Sequence, residues 1–318
     1  MSRKTWMITG GSGFIGRSLI RHILDNIEVD IINIDIKEID IRHDRLRSIL
    51  IDIRDANQLQ DLHGEKIDRI FHLAALAKEP GFDWEDYFLT NTGGTQNIIN
   101  LADAVDCNEI VFTSTMMVFK ASEEQKKTDS IKDPDTAYGI SKALAEEELI
   151  QWEISSINHK LIIFRPGIVF GAGENGNFTR MIRSMRSNTF VFVGRKTTVK
   201  GCIYVKDLIE LLVQREMKSP SRIVHAVYSD NYTIGQIHDA IAKVFKISPR
   251  AKTLPYPLLL FVARIVNIIL PNSAIHPRRI QKLFFSTNIE SNTNLILQSM
   301  TYGNIVDALE DWKKEEVL

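Results

Sequence analysis

The chain has 318 residues, 44% of them hydrophobic and 25% charged, with 39 basic side chains against 40 acidic ones. That length supports a sizeable core in one large or two intimate domains, and the balanced charge gives no electrostatic reason to expect nucleic acid as a partner. Cys107 and Cys202 stand far apart in sequence, so neither a disulfide framework nor a metal site is expected, and a reducing cytoplasm fits.

The amino-terminal stretch MSRKTWMITGGSGFIG is broken by glycines before any continuous apolar run develops, which argues against a secretory leader. TWMIT reads as a first strand that runs directly into TGGSGFIG. Gly10, Gly13 and Gly16 there allow a tight turn and a close backbone approach to a pyrophosphate at the start of a helix, whose inner face is marked by Phe14, Leu19 and Ile23. The second strand, VDIINID, ends at Asp35, 19 residues after Gly16. A carboxylate at that position accepts hydrogen bonds from a ribose with free hydroxyls and repels a 2′-phosphate, which favours NAD over NADP. Asp35 could also be a solvated strand end, and Asp52 in the next strand, SILIDI, fits an adenine edge about as well as a turn or capping role.

RIFHLAA and IVFTS continue the strand series, with helical spacing at Ile98, Leu101, Ala102 and Val105 between them. IVFTS delivers Ser114 and Thr115 to a strand end, followed by Met116 and Met117. A long helix is predicted from about Ala137 into Ile154, then the strand HKLIIFRP. Near its start AYGISK sets Tyr138 and Lys142 four residues apart, on one helical face. An ammonium beside a phenol favours phenolate and so a general base, although this spacing by itself is common in surface packing. GAGENGN reads as a loop, FTRMIRSMR as a basic helix, and the later elements as shorter. YPLLLFVARIVNIILP is too short to span a bilayer and carries Arg264 in its middle. It is expected to be a buried or amphipathic helix, with peripheral membrane contact as a minor alternative.

Alternating strands and helices predict an α/β fold, a Rossmann-type doubly wound parallel sheet with a smaller α+β C-terminal substrate lobe. The expected division is a dinucleotide-binding domain over 1–171, joined again by 201–229, and a substrate lobe made of 172–200 and 230–318.

The ordered set TGGSGFIG, Asp35, DIRD, FHLAA, Asn91 with GGTQNII, FTSTMMVF, AYGISK, FRPGIVFGAG and YVKDL resembles the NAD-dependent epimerase/dehydratase family of extended short-chain dehydrogenases over nearly the whole chain. The resemblance implies that Gly10, Gly13, Phe14, Ile15 and Gly16 line the pyrophosphate turn of NAD. It places Asp35 at the ribose, Asp52 and Ile53 at the adenine, and Leu73, Ala74 and Ala75 along the cofactor's middle. Asn91 supports the site, Tyr138 and Lys142 hold the nicotinamide ribose and move a proton, and Thr115 matches the catalytic Ser/Thr. Asn177 and Lys200 are candidate ligands for a substrate diphosphate, equally readable as exposed loop residues, and Arg278 and Arg279 are plausible phosphate ligands. Phe119 and Lys120 replace the family's Tyr-Gly pair, and Ile168 stands where many nucleotide-sugar enzymes have Asn.

Met116 and Met117 occupy positions where family members that eliminate water or carbon dioxide carry acids. Dehydration is therefore disfavoured, leaving epimerisation or simple oxidoreduction. Because Asp35 favours a retained NAD, the resemblance is read as hydride transfer at a secondary alcohol of a nucleotide-activated sugar, as C4 epimerisation. The alternatives are a one-way 4-ketoreductase, a dehydrogenase of a sterol-like or aldehyde substrate, or an NAD-binding sensor or scaffold that turns nothing over. A homodimer is expected by analogy with the family.

Overall fold

The computed structural model describes residues 3–214, 223–229, 231–248, 250–270, 276–292 and 301–315. The chain divides into two compact units. The first comprises Met1–Lys120, Ile131–Pro166 and Ile209–Val224, and the second Ala121–Ser130, Gly167–Leu208 and His225–Leu318.

The first unit is built on β1 (Lys4–Thr9), β2 (Val29–Asp35), β3 (Leu46–Leu50), β4 (Arg69–His72), β5 (Glu109–Thr113) and β6 (Lys160–Pro166). With β7 (Ile223–Ala226) they make a seven-stranded sheet in the order β3-β2-β1-β4-β5-β6-β7. Every pairing from β3 through β6 is parallel. Parallel strands covered on both faces read as continuous apolar runs rather than alternating ones. Ile31, Ile32 and Ile34 of β2 and Ile110, Val111 and Phe112 of β5 are all buried. Because the chain begins in the middle of the sheet and winds outward in both directions, the crevice lies at the carboxyl ends of β1 and β4.

Helix α1 (Phe14–Asn26) buries Leu19, Ile20, Ile23 and Leu24. It is followed by α2 (Ala56–Gln60), α3 (Trp84–Tyr87), a π-helical turn over Phe88–Gly93, α4 (Gly94–Ala104) and α5 (Ala137–Ser155). The strand predicted over SILIDI is displaced toward the amino terminus, to Leu46–Leu50. Asp52 instead begins a turn, its carbonyl accepting from Asp55 N at 2.9 Å, and Asp55 caps α2 by accepting from Asn57 N.

The second unit holds α6 (Asn177–Arg186), α8 (Ile234–Phe245), α9 (Tyr256–Ile269), α10 (Pro277–Phe284) and α11 (Ile305–Glu315), while α7 (Val205–Gln214) runs across the division between units. The short strands Tyr232–Thr233, Val199–Lys200, Thr287–Ile289 and Ser122–Lys126 form its four-stranded sheet. Phe170, stacked on Phe178 at 4.3 Å between ring centroids and flanked by Tyr204 and Trp312, anchors the unit's aromatic core.

Candidate active site

The glycine turn closes against the loop after β4. Gly10 has φ +73°, and a Cβ there would lie 2.7 Å from Ala74 N. At Gly16 a Cβ would meet Gly10 O at 2.4 Å, so α1 leans directly on the turn. The N-cap of α1 is Gly13, which has no side chain to cap with, and the first turn, Phe14, Ile15, Gly16 and Arg17, carries no acid. Its amide groups and positive dipole end thus suit a pyrophosphate. Asp35 accepts from Ser12 N and from Lys37 N, each at 3.0 Å, one bond to each carboxylate oxygen. A carboxylate has about four acceptor sites, so it can still receive ribose hydroxyls.

Asp52 accepts from Arg54 through Nε, Nη2 and the backbone N, and these bonds hold its carboxyl below the usual carboxylate range. Its neighbour Ile53 is buried against Gly94, where a Cβ would lie 2.6 Å from Ile53 Cδ1. Leu73 N and Ala74 N donate to Thr9 Oγ1 at 3.2 and 3.0 Å, and Leu73, Ala74 and Ala75 line the crevice half-buried.

Those two bonds fix a buried chain of proton donors. Because the Thr9 hydroxyl accepts from both amides, its own proton goes to His72 Nδ1 at 2.7 Å. The ring's Nε2–H then donates to Thr95 Oγ1 at 3.0 Å, and Thr95 donates to Asn91 O at 2.6 Å. Burial first, and the nearby Lys142 second, push the imidazole down to about 3. His72 is a neutral structural link.

Asn91 sits on the π-helical turn, where the extra residue aims its amide inward. It accepts from Leu76 N at 2.8 Å, donates to Leu76 O at 3.1 Å, and donates to Ser141 Oγ on α5 at 3.0 Å. The loop after β4 is thereby tied to the helix that carries Tyr138.

Thr115 caps the 3₁₀ turn Met116–Val118, accepting from Met117 N at 3.2 Å, and its hydroxyl is near enough to Tyr138 to favour the phenolate. Thr136 caps α5 by accepting from Gly139 N. At Gly139 a Cβ would lie 2.2 Å from Met117 O, so glycine there lets the Thr115 turn and the Tyr138 helix meet. Met117 packs with Leu76 around Tyr87, Ala137 and Tyr138.

The helical spacing predicts that Lys142 lowers the Tyr138 phenol. The structure corrects this: burial dominates and pushes Tyr138 up to about 12, with the Thr115 hydroxyl as the opposing influence. Lys142, also buried, is pulled down to about 7 by desolvation against the attraction of Glu146. Its ammonium lies 3.9 Å from the centroid of the Phe112 ring.

Glu146 is a buried residue that the motif reading missed. Burial pushes its carboxyl up, but Arg165 (Nε to Oε1 2.8 Å, Nη2 to Oε2 2.6 Å), Ser114 (2.6 Å) and Lys132 (3.3 Å) together bring it below the usual range. The sequence does carry a signal for it: Tyr138, Lys142 and Glu146 recur every four residues, which places them along one helical face.

Thr115, Tyr138, Lys142 and Asn91 are therefore brought together in the first unit with the cofactor-side residues. The four candidate diphosphate ligands belong to the second unit. Asn177 begins α6, exposed, and accepts from Arg180 Nη2 at 2.9 Å. Arg278 and Arg279 lie in the first turn of α10, half-buried. Lys200 has a different task from the one expected. It is buried at the opposite end of α10, where its ammonium donates to Lys282 O and Phe285 O, both at 2.6 Å, and burial pulls it down to about 8.

The model of the NAD dependent epimerase/dehydratase family matches residues 6–225. Among curated relatives, the N-acetyl-alpha-D-glucosaminyl-diphospho-ditrans,octacis-undecaprenol 4-epimerase of Escherichia coli O157:H7 is 26% identical over 256 residues, covering 79% of this chain and 76% of that one. Among solved structures, the ADP-L-glycero-D-manno-heptose-6-epimerase of Helicobacter pylori matches with a TM-score of 0.76 at 16% identity, over 98% of this chain and 96% of that one. The UDP-N-acetylglucosamine 4-epimerase of Methanobrevibacter ruminantium M1, solved with UDP-N-acetylmuramic acid, matches with a TM-score of 0.74 at 19% identity, over 99% and 97%. At these identities the structural matches establish the fold.

Proposed function

We propose that this chain, which belongs to the NAD-dependent epimerase/dehydratase family, inverts the C4 hydroxyl of a nucleotide-activated hexose by oxidising it to a ketone and reducing it from the opposite face. The observation that carries this reading is the joint burial of Thr115, Tyr138 and Lys142, with the Thr115 hydroxyl near enough to Tyr138 to favour its phenolate, Lys142 one turn further along α5, and two methionines where a second acid would stand. The uncapped α1 terminus and the Asp35 carboxylate fit NAD. When bound, NAD supplies the acceptor and donor of the hydride.

The chain's own residues then handle the proton. Tyr138 Oη takes the hydroxyl proton as the carbinol is oxidised and returns it on reduction, while Thr115 Oγ1 hydrogen-bonds the reacting oxygen. A phenol drawn up to about 12 is a reluctant phenolate, and the Thr115 hydroxyl is the neighbour that favours the anion. Met116 is buried and Met117 packs beside Tyr138, and a thioether has no proton to give, which disfavours elimination. The reading includes a homodimer, by analogy with the family.

A second reading keeps the reaction and changes the carrier, from a nucleotide diphosphate to a polyprenyl diphosphate. The relative that acts on an undecaprenol-linked sugar favours it. Both are tested by incubating the protein, without added cofactor, with UDP-hexoses and with polyprenyl-diphosphate-linked hexosamines, and resolving C4 epimers by NMR. Equilibrating epimers support the proposal, and whichever carrier is turned over selects the reading. A requirement for stoichiometric NADH would overturn epimerisation in favour of a reductase. Tyr138→Phe should lower turnover by about 10²- to 10⁴-fold and keep bound NAD.

A further inference from the structure

The second unit carries an apolar stripe that its own packing leaves uncovered. At about 100° per residue, Leu258, Phe261, Val262, Ile265, Ile268 and Ile269 fall on one side of α9, and all six are exposed, Phe261 at 62% and Ile268 at 80%. Within α9 the buried residue is Ala263, on the opposite side. Tyr256 stacks on Phe284 at 4.1 Å between centroids, which seats α10 against α9, and Leu283 and Phe285 of that neighbouring segment are exposed too. Soluble folds turn such a stripe inward, and a contiguous exposed patch of this kind marks a docking surface.

Its charge identifies the partner. From Ala240 to Ile289 the sequence contains eight Lys and Arg residues and neither Asp nor Glu. Arg264 is exposed on the flank of the α9 stripe, and Arg278, Arg279 and Lys282 lie on α10. A second copy joined through this face would set the patch against itself and bring cations against cations. Spanning is excluded for this segment, since 14 residues of helix reach about 21 Å, and among the described residues no helix is long and apolar enough to cross a membrane. An apolar stripe flanked by Arg264, in a stretch from Ala240 to Ile289 that has cations and no carboxylate of its own, suits the interface of an anionic bilayer, with the helix lying in the plane.

We propose that α9 and α10 form a membrane-docking face that seats on anionic lipid, whichever sugar carrier the enzyme uses. The test is co-sedimentation of the full chain with vesicles of phosphatidylcholine alone or mixed with phosphatidylglycerol, over a range of salt, beside light scattering and NAD binding. The protein should sediment with the anionic vesicles and be released by salt. Phe261→Glu with Ile268→Glu should lower partitioning by at least about tenfold, and Arg264→Gln by about fivefold, with NAD binding unchanged. No sedimentation with anionic vesicles, or partitioning unaltered in the double variant, would overturn the proposal. So would a double variant of half the wild-type mass with neither protein binding lipid, which would make the face a contact between copies. Because lipid binding is read without substrate, its failure leaves the epimerase reading intact, and the reverse holds too.

Discussion

Ser114 and Thr115 are adjacent hydroxyls that the end of β5 directs to different tasks. Ser114 donates to the buried Glu146 carboxylate, while Thr115 meets Tyr138. Sequence spacing alone distinguished Thr115 only through the family pattern, because the competing partner, Glu146, becomes a neighbour of Ser114 once α5 packs beside β5. The Tyr138 and Lys142 pairing was legible from one helical period; its electrostatics were not, since desolvation depends on what surrounds both groups. His72 gives this a measurable consequence. Folded, its imidazole is held down to about 3, whereas unfolded it returns to the ordinary 6.5. As pH falls the unfolded chain therefore takes up the proton first, so the stability tied to neutral His72 is complete above that ordinary value and is lost toward the folded one. Between pH 6.5 and about 5 the loss should be about 1.5 kcal/mol by this linkage. Urea unfolding across that range measures it, and His72→Gln should flatten the dependence. An unchanged slope in the variant would mean that His72 is not the group titrating.

At the scale of elements, the catalytic geometry depends on how closely α5 approaches the turn after β5. Gly139 follows Tyr138 directly, and the 2.2 Å separation between its hypothetical Cβ and Met117 O leaves no room for a side chain. Helix propensity alone would favour alanine there by about 1 kcal/mol, so the clash and the propensity predict opposite signs. Gly139→Ala is expected to be dominated by the clash, because the opposing atom is backbone. It should displace the turn that carries Thr115 and reduce kcat by about tenfold or more, as a misplacement near 1 Å can, while NAD still binds. Retained kcat with higher stability would show that the turn yields freely. The motif AYGISK displayed Tyr138 and Lys142 openly, but the need for its glycine was hidden because the clashing carbonyl comes from a different element. Asn91 presents a similar case: its position in the chain was readable, yet the π-helical turn that aims it at Leu76 and Ser141 has no periodic signature of its own.

Over the whole molecule, the strand and helix alternation sufficed for most of the parallel sheet, because β1, β4 and β5 are apolar runs each followed by a helix, whereas β2 and the more exposed β3 are joined by a loop. The make-up of the second unit was harder to read. Ser122–Lys126 is polar and largely exposed, and its place there is set by pairing with Thr287–Ile289, some 160 residues away. Two-residue strands such as Val199–Lys200 carry too little pattern to announce such long-range partners. The residues proposed to hold the cofactor, by contrast, all lie within Met1–Lys120 and Ile131–Pro166, so binding should act on the unit whose sheet was legible. A ligand that binds the folded chain alone raises stability by RT ln(1 + [L]/Kd), about 2.7 kcal/mol at a hundredfold excess over Kd. NADH should therefore raise Tm, and NADPH at equal concentration should not, since Asp35 opposes a 2′-phosphate with like charge. Asp35→Asn keeps the shape and removes the charge. It should shrink the NADH response and allow one to NADPH, whereas equal responses of the wild-type protein to both cofactors would remove Asp35 as the determinant of cofactor choice.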